Sequence, residues 1–158
     1  MPLHKLQADD FSNRETVTQI TMFMATMALL YGFTLIQGGD PIWVGHAYDT
    51  ARILPGSPES WGVILLLGAA FMMTGMLRDY RRLYLAGNWI AILWNLFFAL
   101  SFLREAIKVR IDDDAGSPLG FGAFVTYLGI SGIFVLLVNT YRGKNALPSD
   151  QETVSQPD

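Results

Sequence analysis

The sequence predicts an all-α integral membrane protein, a bundle of four transmembrane helices with both termini on the cytoplasmic side. Three observations carry this expectation. Lys, Arg, Asp, Glu and His are absent between Glu15 and Asp40, between Glu59 and Arg78, between Arg82 and Arg104, and between Asp114 and Arg142, leaving uncharged windows of 24, 18, 21 and 27 residues. Small residues recur at helical spacing within each window. Basic residues concentrate in the segments that four crossings would place on one side. A hydrocarbon core ~30 Å thick needs about 20 apolar helical residues, and uncharged runs of about 18 or more are read as spanning candidates, so all four windows qualify. A soluble chain of 158 residues with four such helices would have too little polar surface to cover them.

The elements follow in order. Residues 1–11 read as a polar leader, and residues 12–141 as the four-helix transmembrane domain. Ser12-Asn13-Arg14-Glu15 has the pattern of a capping box, in which Ser12 and Glu15 satisfy each other's backbone N–H groups at a helix start. The first span covers about 16–38 and stops at Gly38-Gly39-Asp40-Pro41. It reads as a retained helix, because Asp9, Asp10 and Glu15 spoil the basic region that a cleaved signal peptide needs. The connection from Pro41 to Leu54 reads as a short amphipathic element lying on the outer surface, with Trp43 and Tyr48 suited to the headgroup region.

Ser57-Pro58 restarts the chain as a helix, with Ser57 as N-cap, and the second span covers about 60–77. At 18 residues it is the shortest, roughly 27 Å of helix, and Trp61 and Tyr80 stand as interfacial anchors at its two ends. Arg78-Asp79-Tyr80-Arg81-Arg82 is a tight basic turn into the third span, about 83–103. Ser117-Pro118 opens the fourth, about 118–141, and residues 142–158 form a polar tail that predicts disorder. Gly56-Ser57-Pro58-x-x-Trp61-Gly62 recurs as Gly116-Ser117-Pro118-x-x-Phe121-Gly122. Duplication of a helical hairpin and repeated use of one capping solution both account for this echo.

Within the helices, the residues that stand out are small or amide-bearing. Asn88 and Asn95 are seven apart on the third helix, with Ala91 between them on the same face. Ala28-x-x-x-Gly32 ends a small-residue stripe on the first helix, and Thr126, Gly129 and Gly132 continue one that begins at Gly122 on the fourth. Small residues let helix backbones approach closely, and amides bond across helix pairs for about 0.6–2 kcal/mol, so these positions are candidates for helix packing. Lining of a wet path is the competing expectation for the same face. Trp89, Trp94, Phe97 and Phe98 read as an aromatic surface turned toward a partner or toward lipid.

Orientation follows from basic residues. Lys5, Arg14, Arg78, Arg81, Arg82, Arg142 and Lys144 fall on one side, against Arg52, Arg104, Lys108 and Arg110 on the other. Lys and Arg favour the cytoplasmic face, which places both termini there.

What is missing narrows the function. Ionisable groups inside spans mark pumps and coupled transporters, and none of the four windows holds one. The chain has no cysteine, and its two histidines, His4 and His46, lie outside the windows, which argues against thiol and haem chemistry. His46 and Asp49 read as a solvated pair on the outer connection. The Asp112–Asp114 run lacks the acidic residue a calcium loop requires at its twelfth position, where Ala123 stands. A net charge of -3 argues against nucleic acid. No catalytic site, cofactor or metal is expected.

The hydropathy profile as a whole, four uncharged spans with polar ends, resembles the small four-span membrane proteins of bacteriophages, some of them holin-like. That resemblance implies a bacterial inner-membrane protein that self-assembles and permeabilises the bilayer; no individual residue carries it. Two function classes are therefore expected. One is an accessory or scaffolding component that oligomerises, or packs on a larger membrane protein, through small-residue faces. The other is a holin-like pore.

Overall fold

The computed structural model describes residues 3–39, 48, 50–53, 55–111 and 119–143. Among them the chain forms four α-helices: α1 (Leu3–Gly38), α2 (Glu59–Leu77), α3 (Arg81–Ile111) and α4 (Leu119–Gly143), with a 3₁₀ turn at Ala51–Ile53. Each contains a segment long and apolar enough to cross a membrane: Glu15–Gly38, Glu59–Leu77, Arg81–Lys108 and Gly120–Tyr141. The expectations for Trp43, His46, Asp49, Asp112–Asp114, Ser117-Pro118 and the tail after Gly143 lie outside the described residues.

Helix boundaries differ from the sequence reading in three places, each for a local reason. α1 begins at Leu3 and runs through Ser12 without a break. Nothing between Leu3 and Tyr31 is Gly or Pro, so no residue there interrupts the helix. α2 begins at Glu59, and Ser57 does not cap it: the Ser57 hydroxyl donates back to the Ala51 carbonyl at 3.2 Å. Ser60 instead donates to the carbonyls of Pro55 and Gly56, at 2.6 and 2.9 Å. α3 continues to Ile111, so the alternating segment from Ile107 onward is helical.

The α2–α3 turn is a Schellman closure. Tyr80 N–H bonds the Gly75 carbonyl at 2.7 Å and Asp79 N–H bonds that of Met76 at 3.4 Å. Asp79 takes the left-handed conformation (φ 51°) that glycine usually supplies, which a short Asx side chain tolerates.

Helices adjacent in the chain pack side by side, α1 on α2, α2 on α3 and α3 on α4, whereas α1 and α4 barely touch. Glycines set the first two seams. A Cβ on Gly32 would stand 2.9 Å from the Gly62 carbonyl oxygen, and one on Gly62 would stand 2.6 Å from that of Gly32. Gly68 and Gly87 meet in the same manner between α2 and α3, and Gly75 lies against the Tyr84 backbone. Backbones approach this closely only where no side chain intervenes.

α3 is the central helix. Its buried stripe of Ala91, Asn95, Phe98, Phe102 and Glu105 follows helical spacing, while Trp89, Leu93, Leu100 and Ile107 are exposed. The expected aromatic surface is therefore divided: Trp89 points outward, but Trp94 and Phe98 belong to the core. Trp94 stacks at a tilt on Phe98, and Tyr127 of α4 lies parallel to Phe102 at 5.5 Å.

Candidate functional site

Because α1 and α4 do not close on each other, a groove of about 590 Å³ remains between them. Met24, Ala28 and Tyr31 of α1 form one wall, and Ala123, Tyr127 and Ile130 of α4 form the other. Its floor comes from the two middle helices, through Leu65 of α2 and Trp94 and Asn95 of α3. Among the described residues, no Lys, Arg, Asp, Glu or His lines it. A polar bridge crosses it: the Tyr31 and Tyr127 hydroxyls lie 3.2 Å apart. One of them donates to the other, so one phenolic hydrogen is left over. Tyr31 also meets the edge of Trp94, with ring centroids 5.7 Å apart.

Asn95 is the polar residue of the floor and is only 4% exposed. Its Nδ2 donates to the Ala91 carbonyl of its own helix at 2.8 Å. Asn88 does the same to Tyr84 at 2.8 Å, and its Oδ1 is buried without a partner. Neither amide reaches across to a neighbouring helix through these bonds, in contrast to the expected inter-helix pairing. The cross-helix polar contacts use other residues, namely Thr21 with Tyr84 at 3.2 Å and Ser131 with the Ile92 carbonyl at 3.4 Å.

The other singled-out positions separate into inner and outer sets. Ala28 and Ala91 are buried, with Ala28 also reaching the groove, and Gly32 lies in the α1–α2 seam. Thr126 lines the groove, its hydroxyl donating to the Gly122 carbonyl at 2.9 Å. Gly122, Gly129 and Gly132 turn away from the bundle, and a Cβ added to any of them would meet nothing within 4 Å. The α4 residues that pack inward are larger, Phe134, Leu137 and Val138.

At the opposite end from the α2–α3 turn, Trp61 donates through Nε1 to the Ala51 carbonyl at 2.8 Å and stacks on Phe97 at 4.5 Å. Tyr48 packs edge-on against Phe102, with centroids 5.5 Å apart, and burial raises its phenol above the usual value. Arg104 reaches Thr50 at 3.1 Å, so this connection is tied to α3. Tyr80 is exposed in the α2–α3 turn.

The sequence reading missed two features. Tyr31 and Tyr127 stand far apart in the chain, and nothing local marks them as a pair. Glu105 was placed beyond the third span, yet it lies within α3, 8% exposed, with Oε1 accepting no hydrogen bond and Lys108 Nζ 4.0 Å away. Its signal was present: Glu105 falls one turn after Phe102 on the stripe that Asn95 and Phe98 define. The correction is that a carboxylate does belong to the spanning-length segment of α3.

Among the described residues, no three His, Cys, Asp or Glu side chains come together as a metal site. No protein-family model, curated protein or solved structure matches this chain. The fold and groove thus define a class by themselves, an all-helical protein with four helices of spanning length and a cleft between the first and the last.

Proposed function

We propose that this chain is a multi-pass protein of the bacterial inner membrane, with both termini cytoplasmic, and that it acts as a non-catalytic accessory component. In this reading it docks another transmembrane helix, of its own kind or of a larger partner, on the outer face of α4. The observation that carries the reading is the difference between its glycines. Those of α1, α2 and α3 named above are consumed by seams inside the bundle, whereas Gly122, Gly129 and Gly132 face outward, with nothing within 4 Å of an added Cβ, on the same line as exposed Val125 and Leu136. Within lipid, helices associate through close backbone packing at small residues, since lipid tails are as apolar as the side chains they would replace. The placement of the termini is supported by the basic residues of the α2–α3 turn and both ends.

The alternative is a holin-like pore built from several copies, which would use the same outer face of α4 for self-association. One experiment tests both. The protein and its Gly129→Leu variant are induced in a bacterial host, with membrane potential, growth and in-membrane cross-linking followed together. Cross-linked species that disappear in Gly129→Leu, with the membrane potential intact, support the accessory reading. Abrupt depolarisation that Gly129→Leu abolishes supports the pore. Association unaffected by Gly129→Leu refutes the use of this face in either.

A further inference from the structure

The charges outside the four spans are unevenly shared. Five segments lie outside the uncharged windows, and four of them are net acidic: residues 1–15, 40–59, 104–114 and 142–158. Residues 78–82 alone are net basic, with Arg78, Arg81 and Arg82 set against Asp79 in a chain whose net charge is -3. Excess positive charge is therefore confined to the place where α2 turns into α3.

These charges are not spent within the molecule. Arg78, Arg81 and Arg82 are exposed, and among the described residues no carboxylate pairs with any of them, their neighbour Asp79 included. The opposite end of α3 differs. There Arg104 donates to Thr50 at 3.1 Å, and Lys108 lies 4.0 Å from the Glu105 carboxylate. The bond from Tyr80 N–H to the Gly75 carbonyl closes the turn, so the three arginines are held on one short, fixed segment. Arg81 and Arg82 also occupy the first turn of α3, which holds no acidic residue. Cations there oppose the helix dipole, and an anion bound beside them relieves that opposition.

The depth of the turn selects the anion. α2 has 19 residues, about 28 Å at ~1.5 Å each, close to the ~30 Å thickness of a hydrocarbon core. With α2 across the bilayer, its end at Leu77 reaches the hydrocarbon boundary, and the guanidiniums that follow stand at the level of the lipid phosphates. Leu77 and Tyr80, 73% and 55% exposed, flank them with an apolar contact and an interfacial ring. A guanidinium fork matches phosphate oxygens in pairs.

We infer that the α2–α3 turn is a binding site for the headgroup of an anionic phospholipid, whose phosphodiester is held by Arg78, Arg81 and Arg82. The inference rests on the membrane placement proposed above, and not on the docking face of α4. It goes beyond the orienting role of the same arginines, which requires their charge during insertion but no bound lipid.

The test uses the full chain in nanodiscs and two photoreactive lipids, a phosphatidylglycerol and a phosphatidylcholine, each with a diazirine near the start of one acyl chain. Both faces of a nanodisc carry the same lipids, so the result does not depend on orientation. At residues 77–82 the phosphatidylglycerol is expected to label saturably and on the order of tenfold more than the phosphatidylcholine. Residues 103–108 should show no such preference. Replacing Arg78, Arg81 and Arg82 together with Gln should bring the ratio at the turn to about one, whereas Arg104→Gln should leave it unchanged. The proposal is overturned if both lipids label the turn alike, or if residues 103–108 show the same preference. It is equally overturned if the folded Gln variant keeps the ratio. Loss of the preference in inorganic phosphate, but not in chloride of equal ionic strength, would assign the turn to a free anion and overturn the lipid site. A chain that does not enter nanodiscs at all would overturn the membrane placement together with the site. Insertion with equal labelling overturns the site alone and leaves the turn to an acidic protein partner.

Discussion

Gly62→Ala puts a single methyl group into the tightest part of the α1–α2 seam. Its Cβ would stand 2.6 Å from the Gly32 carbonyl oxygen, 2.8 Å from Ile36 Cγ1 and 3.1 Å from Leu35 Cβ. Carbon–oxygen approaches in packed interiors run at about 3.3–3.6 Å, so α1 has to retreat by roughly 0.7–1 Å at this crossing. The obstructing oxygen belongs to a helix backbone, so the relief is a shift of the helix and not the swing of one side chain. Overpacking of this kind costs about 1–3 kcal/mol. The intrinsic helix preference of Ala over Gly returns about 1 kcal/mol, which leaves an expected net loss of about 0–2 kcal/mol. Gly129→Ala makes the same change of residue where a Cβ meets nothing within 4 Å, so it is expected to be neutral or slightly stabilising. Reversible unfolding in mixed micelles, with sodium dodecyl sulfate as denaturant and tryptophan fluorescence as signal, measures both. If the two variants lie within about 0.5 kcal/mol of each other, the seam is not as close as the geometry requires and the reasoning fails.

Three further outcomes test other parts of the structure. Replacing Arg78, Arg81 and Arg82 with Gln removes the basic turn, and tags on the two termini are expected to become accessible from both sides of the membrane; tags that remain wholly cytoplasmic would show that other charges set the orientation. Trp61→Phe keeps an aromatic ring against Phe97 but deletes the bond to the Ala51 carbonyl. It should cost about 1 kcal/mol and raise hydrogen exchange selectively at Ala51–Ile53, and uniform exchange across the chain would contradict this role. Tyr31→Phe deletes the hydroxyl bridge across the groove and should broaden the distance distribution between spin labels at Leu30 and Leu128. A distribution as narrow as that of the native chain would mean that the bridge does not hold α1 and α4 together.

The limits of the sequence reading have a common cause, visible in particular residues. Ala28 and Gly32 could be singled out as packing positions, and they line the bundle interior, because only residues of that size permit close approach. Gly129 and Gly132 have the same composition and spacing, yet they face outward. Glu105 lies outside the third span as its charges bound it, although its place on the buried stripe is readable from the spacing. The place of Asn95 on the groove floor could not be read at all, since the bond that consumes its nitrogen is local but the groove is built with three other helices.

By itself the sequence determined that the protein is all-helical, that four segments are long and apolar enough to span a bilayer, and close to where they lie. Those properties depend on local composition and length, which neighbouring helices do not change. Only the tertiary structure decided which face of each helix packs, that α1 and α4 stay apart, and that a groove floored by Leu65, Trp94 and Asn95 lies between them. The helices are apolar around most of their circumference, and lipid is as apolar as a protein core, so periodicity of hydrophobic residues cannot distinguish an inner face from an outer one. That distinction comes from shape: Gly32 meets Gly62 and Gly68 meets Gly87, while Gly129 meets nothing.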